Sequence, residues 1–332
     1  MNGAVSCRAA VRCVLTVAVL LASGCVGATW QSTVDRDHPL VGRVWDVRRA
    51  SFVGAVTVVE HLTDTRFVLL GEKHDNPDHH RLQASIVKQL IAAGRRPTVA
   101  FEMFTQDQTA AIERHLAAHP RDARGLGDAV EWKKSGWPEW SLYAPIAQAA
   151  LDADLPIVAA NLSASTLASV RRDGANGLDA TFAARYRLDR PPPSDEDEER
   201  AMAQEIRDAH CGQAPEAALP RMILIQRARD AGMADQLVSG ATADGAVLIA
   251  GAGHVRADRG VPAYLRRASP TATVGTVAFV EVERGATTPE SYTRATGGDA
   301  PPFNYIWFTP RVDDKDPCET FRRSLERMRS PR

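Results

Sequence analysis

The chain has 332 residues and a formal net charge of −1, with an isoelectric point near 6.8. That balance excludes the basic excess with which nucleic-acid-binding proteins hold phosphates. Hydrophobic content of 44% and charged content of 24% are those of a globular protein, long enough for one large domain or one domain with an insertion.

Arg8 and Arg12 precede the apolar run Cys13 to Leu21, and Ala22-Ser23-Gly24-Cys25 follows. A positive start, a short apolar run and small residues before a break read as an export signal, too short to span a membrane. A cysteine after small residues resembles a bacterial lipobox, so residues 1–25 are expected to be a lipoprotein signal with lipidation at Cys25. Ala22 departs from that pattern, where a larger aliphatic residue is usual; the alternative is cleavage near Ala28 without an anchor. With Cys7 and Cys13 removed and Cys25 lipidated, Cys211 and Cys318 remain. In an oxidising compartment they would form a disulfide; two buried thiols are the alternative.

Residues 26–45 are polar without a clear period and read as a tether. Residues 50–62 suit a helix or a turn and strand. Phe67-Val68-Leu69-Leu70 is a buried-strand signature ended by Gly71 and followed by Glu72 and His74. Asn76 and Pro77 are a cap and a first-turn residue for a helix over 78–93, whose Leu82, Ile86, Val87, Leu90 and Ile91 share one face. A second strand, 98–103, carries Glu102 near its end. Thr105 and Gln108 then have capping-box spacing for a helix to about 118. Trp132, Trp137 and Trp140, half of the six tryptophans, mark a core cluster or a cover beside the site. A helix over 141–153 leads to a strand over 155–160.

Strands alternating with helices predict an α/β fold with a mostly parallel sheet and crossover helices. From about 163 to 240 the pattern is helical without strands, an insertion or lid, in which the acidic run from Asp195 to Glu199 suits a solvated first turn. Strands resume at 246–250, 273–282 and 303–309; residues 285–302 read as a surface loop and 313–332 as a tail.

Two Gly-x-x-His groups, Gly71 to His74 and Gly251 to His254, follow buried strands, and Glu102 ends a third. In a parallel sheet these ends share one edge, where open α/β sheets bind ligands. His74, Glu102 and His254 could bind Zn²⁺, Mn²⁺ or Fe²⁺, or work without metal as acid and base. Arg256 and Arg259 suit a ligand bearing carboxylates. No Gly-x-Ser-x-Gly elbow or phosphate loop is present.

Taken together, the chain resembles the ChaN-like family of haem-binding uptake lipoproteins, in the superfamily that includes Tiki-type metalloproteases and erythromycin-esterase-like proteins. The resemblance rests on Leu70 to Asn76 with His80, Phe101 to Phe104, Trp140 with Tyr143-Ala144-Pro145, and Ala160-Asn161-Leu162. It continues through Arg229 to Ala234, Gly251 to Arg256 with Gly260-Val261-Pro262, and Tyr305 to Pro310. It implies an α/β domain over 46–312 with the helical insertion, membrane attachment, and haem bound at the surface, by one subunit or between two. Haem iron takes His, Tyr, Cys or Met, which makes His74, His254 and Tyr305 candidate ligands and Arg256 and Arg259 candidate propionate partners. The expected protein is a haem- or iron-binding lipoprotein of the outer membrane, facing the periplasm. The alternative is a Tiki-like metal-dependent hydrolase with His74, Glu102 and His254 as ligands and Glu72 as general base.

Overall fold

A computed structural model describes residues 29–189, 196–292 and 301–316, with 318, 319, 321–323 and 326 of the C-terminal segment. The signal and Cys25 lie outside these residues.

The strands in chain order are β1 (Val44–Asp46), β2 (Ser51–Val53), β3 (Phe67–Glu72), β4 (Thr98–Thr105), β5 (Ile157–Asn161), β6 (Ala246–Gly251), β7 (Val274–Glu281) and β8 (Tyr305–Thr309). They form one sheet in the order β2-β1-β8-β7-β3-β6-β4-β5. From β8 to β5 all neighbours are parallel, while β1 pairs antiparallel with β8 and with β2. The helices are α1 (Ala55–Thr63), α2 (Pro77–Ala92), α3 (Thr109–Ala118), α4 (Ala123–Ala129), α5 (Trp140–Asp152), α6 (Ala164–Asp173), α7 (Ala180–Tyr186), α8 (Glu196–Ala209), α9 (Leu219–Gly240) and α10 (Val261–Ala268). The ambiguous 50–62 stretch supplies both of its expected elements, β2 and then α1.

Helices cover both faces of the sheet, so β3 is buried along its whole length, as parallel strands between two helical layers are. Residue parity sorts the core. Val68 and Leu70 pack with Val58 and Leu62 of α1, Ile86 and Leu90 of α2 and Ile146 of α5. Phe67 and Leu69 face the other way, towards Val170 of α6, Ala231 and Leu237 of α9 and Leu265 of α10. On β4, Val99 and Phe101 belong to the first layer and Ala100 to the second.

The connections β3–α2–β4 and β4–α5–β5 advance towards one edge of the sheet, whereas β6–α10–β7 returns past β3 to the other. The chain therefore changes direction around β3 and β6, and ligands of open sheets bind beyond the strand ends at such a point. Between β5 and β6 the described elements are all helices, among them the 22-residue α9.

The expected tether is different from residue 29 onward. Backbone N–H groups of Gln31 and Ser32 donate to the Asp78 carboxylate at 3.0 and 2.8 Å, Leu40 is fully buried, and Val34 bridges Arg311. Polar composition concealed this because the anchors are backbone N–H groups on Asp78 and the scattered Trp30, Leu40 and Val44, which follow no period. Cys211 and Cys318 form a disulfide, 107 residues apart, which ties the chain just beyond α8 to the C-terminal segment.

Candidate functional site at the strand ends

Glu72, the last residue of β3, has the parity of Val68 and Leu70, so its carboxylate points into the α2/α5 layer. There it accepts hydrogen bonds through Oε1 from His74 Nδ1 and Tyr143 Oη, both at 2.9 Å. His80 Nδ1 lies 3.0 Å from Oε2, off the line of a good hydrogen bond. Its Nε2 meets the His74 carbonyl at 2.9 Å. A carbonyl only accepts, so Nε2 carries a proton, and a lone pair at Nδ1 would face a carboxylate oxygen. His80 is therefore held as imidazolium: burial opposes the charge, but the neighbouring Glu72 raises its pKa. Burial likewise opposes ionisation of Glu72, and His80 and His74 overcome it, bringing its pKa to about 2. A carboxylate so weakly basic and so fully engaged is a poor general base.

Glu102 has the opposite parity and points towards α9. Its Oε2 accepts from the Gly251 N–H at 2.7 Å. Its Oε1 receives Arg229 Nη2 at 2.5 Å and lies 3.1 Å from His254 Nε2. The other ring nitrogen of His254 lies 2.6 Å from Asp230 Oδ1. With a carboxylate at each nitrogen, His254 stays protonated: burial opposes this, but Glu102 and Asp230 lift its pKa to about 9. Glu102 is depressed well below its usual range, burial being outweighed by His254 and Arg229. Burial raises Asp230.

His74 stands between the two clusters. Its side chain is 33% exposed against 7% for His254, and the ring meets Trp137 edge-on with centroids 4.8 Å apart. With Nδ1 on Glu72, Nε2 lies over Gly251, where a Cβ would come within 2.9 Å of it. No side chain at that position is the condition for the imidazole to lie there.

The strand-end residues expected from the sequence thus do come to one edge, but parity divides their carboxylates between the two faces of the sheet. Glu102 is filled by a guanidinium, a backbone N–H and an imidazolium. Among the described residues no group of three His, Cys, Asp or Glu side chains is placed to hold a metal ion; of the expected ligand set, Glu102 and His254 pair with each other and His74 with Glu72.

Arg256 and Arg259 are both buried. Arg256 makes a forked pair with Asp258 at 3.1 and 2.7 Å, and Arg259 binds Asp258 at 3.1 Å and Glu205 of α8 at 2.6 Å. A propionate would have to compete with these carboxylates. Tyr305, 3% exposed, lines a separate cavity of about 460 Å³ with Asp46, Arg49 and His61.

Sequence reading missed the roles of His80 and Tyr143 as partners of Glu72, and that of Asp230 as partner of His254. The available signal was spacing: His80 lies on the first turn of α2, directly after the strand end it serves. His79 beside it is structural. It accepts from the Lys73 N–H at 2.8 Å and reaches Thr309 Oγ1 at 2.8 Å, and burial lowers its pKa to about 3.

A doubly covered, mostly parallel α/β sheet with a His/Glu cluster at its switch point defines the class. Residues 58–265, more than half of the chain, match the profile of the family described as "Haem-binding uptake, Tiki superfamily, ChaN". The chain belongs to that family. Among solved structures it is similar to "Cofacial heme binding to ChaN of Campylobacter jejuni", with a TM-score of 0.59 and 20% identity, covering 80% of this chain and 95% of that one. A type III effector, HopBA1, matches with a TM-score of 0.43 and 14% identity over 76% of this chain and 92% of that one. No curated protein matches the chain.

Proposed function

We propose that this protein binds haem at the cell envelope, tethered by a lipid on Cys25 to the outer membrane on its periplasmic side, and serves haem uptake. The observation that carries the reading is the family match over residues 58–265; the export signal and lipobox-like cysteine support the location.

The residues present fit haem at His74. An imidazole that would hold haem iron needs one nitrogen free for it, and a carboxylate on the other nitrogen fixes the ring and raises its basicity. His74 has this form: Nδ1 is on Glu72, the ring is reachable from solvent, and Trp137 supplies an aromatic wall. His254 has a carboxylate at both nitrogens and is buried, and Tyr305 lies in another cavity. Bound haem would supply iron coordination and redox chemistry; the chain's part is to orient the ligand and shield one side of it.

Haem titration of residues 26–332, followed by absorbance, tests this. The expected result is a saturable, near-stoichiometric Soret shift, abolished by His74→Ala and kept by His254→Gln. An unchanged shift in His74→Ala removes His74 as the ligand, and no shift in the unaltered protein removes the function. His74 prefers its proton above the ordinary value of 6.5: burial opposes this, but the Glu72 hydrogen bond and the Glu102 charge outweigh it. Protons compete with iron for the ring, so haem affinity should fall as pH drops through that raised value.

A further inference from the structure

Behind the site, α2 and α5 pack side by side and leave a groove of about 440 Å³ between their outer surfaces, lined by Arg81, Ser85, Lys88, Gln89, Ser141 and Gln31 among others. Its charged lining is entirely basic. Arg81 Nε is buried without a hydrogen-bond partner, and the guanidinium reaches Asp78 only at 3.5 Å. Asp78 also accepts from the Gln31 and Ser32 N–H groups, so its carboxylate is shared among three partners. Lys88 is exposed and lies outside every ion pair among the described residues. Arg36 has its guanidinium on the carbonyls of Trp30 and Ser32, the residues on either side of Gln31.

The groove also lies where the chain enters the fold. Gln31 forms part of its wall, and the half-buried Trp30 lies under Arg81, whose guanidinium carbon is 5.2 Å from the ring. From Cys25 to Trp30 an extended chain reaches at most about 18 Å. A lipid on Cys25 therefore keeps this groove within one short span of the membrane surface. Basic side chains there meet phosphates, and Trp is suited to the interface between headgroup and water.

We propose that the α2/α5 groove is a docking site for anionic phospholipid headgroups of the membrane that carries the anchor, with Arg81 and Lys88 binding the phosphate. The proposal rests on the lipidation reading of Cys25 for its membrane. It orients the protein: α2 and α5 face the bilayer with their outer surfaces, while their inner surfaces present His80 and Tyr143 to Glu72.

The test uses residues 26–332, which contain every described residue, sedimented with phosphatidylglycerol/phosphatidylcholine vesicles and with phosphatidylcholine vesicles alone. Preference for the anionic vesicles, reduced about 30-fold by Arg81→Gln with Lys88→Gln, is the expected result. Thermal unfolding and the Soret titration of the double variant should match those of the parent. Equal partition to both vesicle types overturns the proposal, as does a preference that the double substitution leaves intact. Thermal stabilisation by inorganic phosphate without vesicle preference also overturns it, in favour of a free-anion site. Fatty-acid labelling of the full chain in a bacterial host separates the two readings. Label absent from Cys25 with vesicle preference retained ends the anchor and keeps the groove as a headgroup site; label present without vesicle preference ends the groove.

Discussion

His254 and Glu102 show how a buried charge cluster is made tolerable. Each ion has opposite charges or N–H donors on several sides, so removing one partner leaves the others unpaired, which is far more damaging than the pair is stabilising. The pH dependence follows from direction. His254 has a folded pKa of about 9 against 6.5 unfolded, so its contribution is fully present below 6.5 and is lost as pH rises through about 9. Glu72, with a folded pKa of about 2 against 4.5, contributes above 4.5 and is lost as pH falls towards 2. Urea unfolding should therefore give greatest stability between these windows, and His254→Gln should flatten the alkaline limb. An alkaline limb identical to that of the parent would contradict this. Gly251 offers a second test. A Cβ there would meet His74 Nε2 at 2.9 Å and Ala would push the ring aside. Gly251→Ala should weaken haem binding while lowering stability by about 1–3 kcal/mol, the usual range for overpacking. Parental haem affinity in this variant would show that the imidazole does not need its place over the glycine.

At the scale of elements, α2 serves two surfaces. Its N-terminus is fixed by Asn76, whose Oδ1 accepts from the Asp78 and His79 N–H groups and whose amide donates to Glu281 at 2.8 Å and the Pro310 carbonyl at 3.1 Å. These contacts join the start of α2 to the ends of β7 and β8 and so place His80 against Glu72. α8 is held differently, by Glu205 on Arg259 and by the disulfide just beyond its end. Closing a loop of 107 residues is worth about 4–5 kcal/mol in the chain-entropy model, with strain and residual unfolded structure lowering that figure. Cys211→Ala with Cys318→Ala should lower the urea midpoint by up to this amount. Little change in the midpoint on oxidation and reduction of the parent would show that the cross-link does not constrain its unfolded chain.

For the whole molecule, the N-terminal segment is part of the domain rather than a lead-in. Leu40 is 1% exposed, and Asp78 binds two backbone N–H groups of the segment. A chain beginning at residue 44 should lose about 2–5 kcal/mol, from burial of one leucine and a buried carboxylate left without its donors. Measured by urea unfolding, equal stability of the short and long chains would make the segment dispensable.

The residues by themselves determined the parallel α/β plan, because four-residue apolar runs ending in Gly and followed by capped amphipathic helices have few other ways to bury their faces. They also determined that Glu72, His74, Glu102 and His254 share an edge, since parallel strands end on one side, and that Cys211 and Cys318 are the two cysteines outside the N-terminal stretch. The tertiary structure decided which face of the sheet each side chain takes. That depends on pairing register and on which helix covers which layer, so Glu72 gathers His74, His80 and Tyr143 on one side while Glu102 gathers His254 and Arg229 on the other, with the more exposed His74 between them. It also decided that Arg256 and Arg259 are occupied by Asp258 and Glu205, and that a polar N-terminal stretch is folded. Partners distant in sequence satisfy those groups, and no local pattern of residues records where a distant donor or carboxylate will arrive.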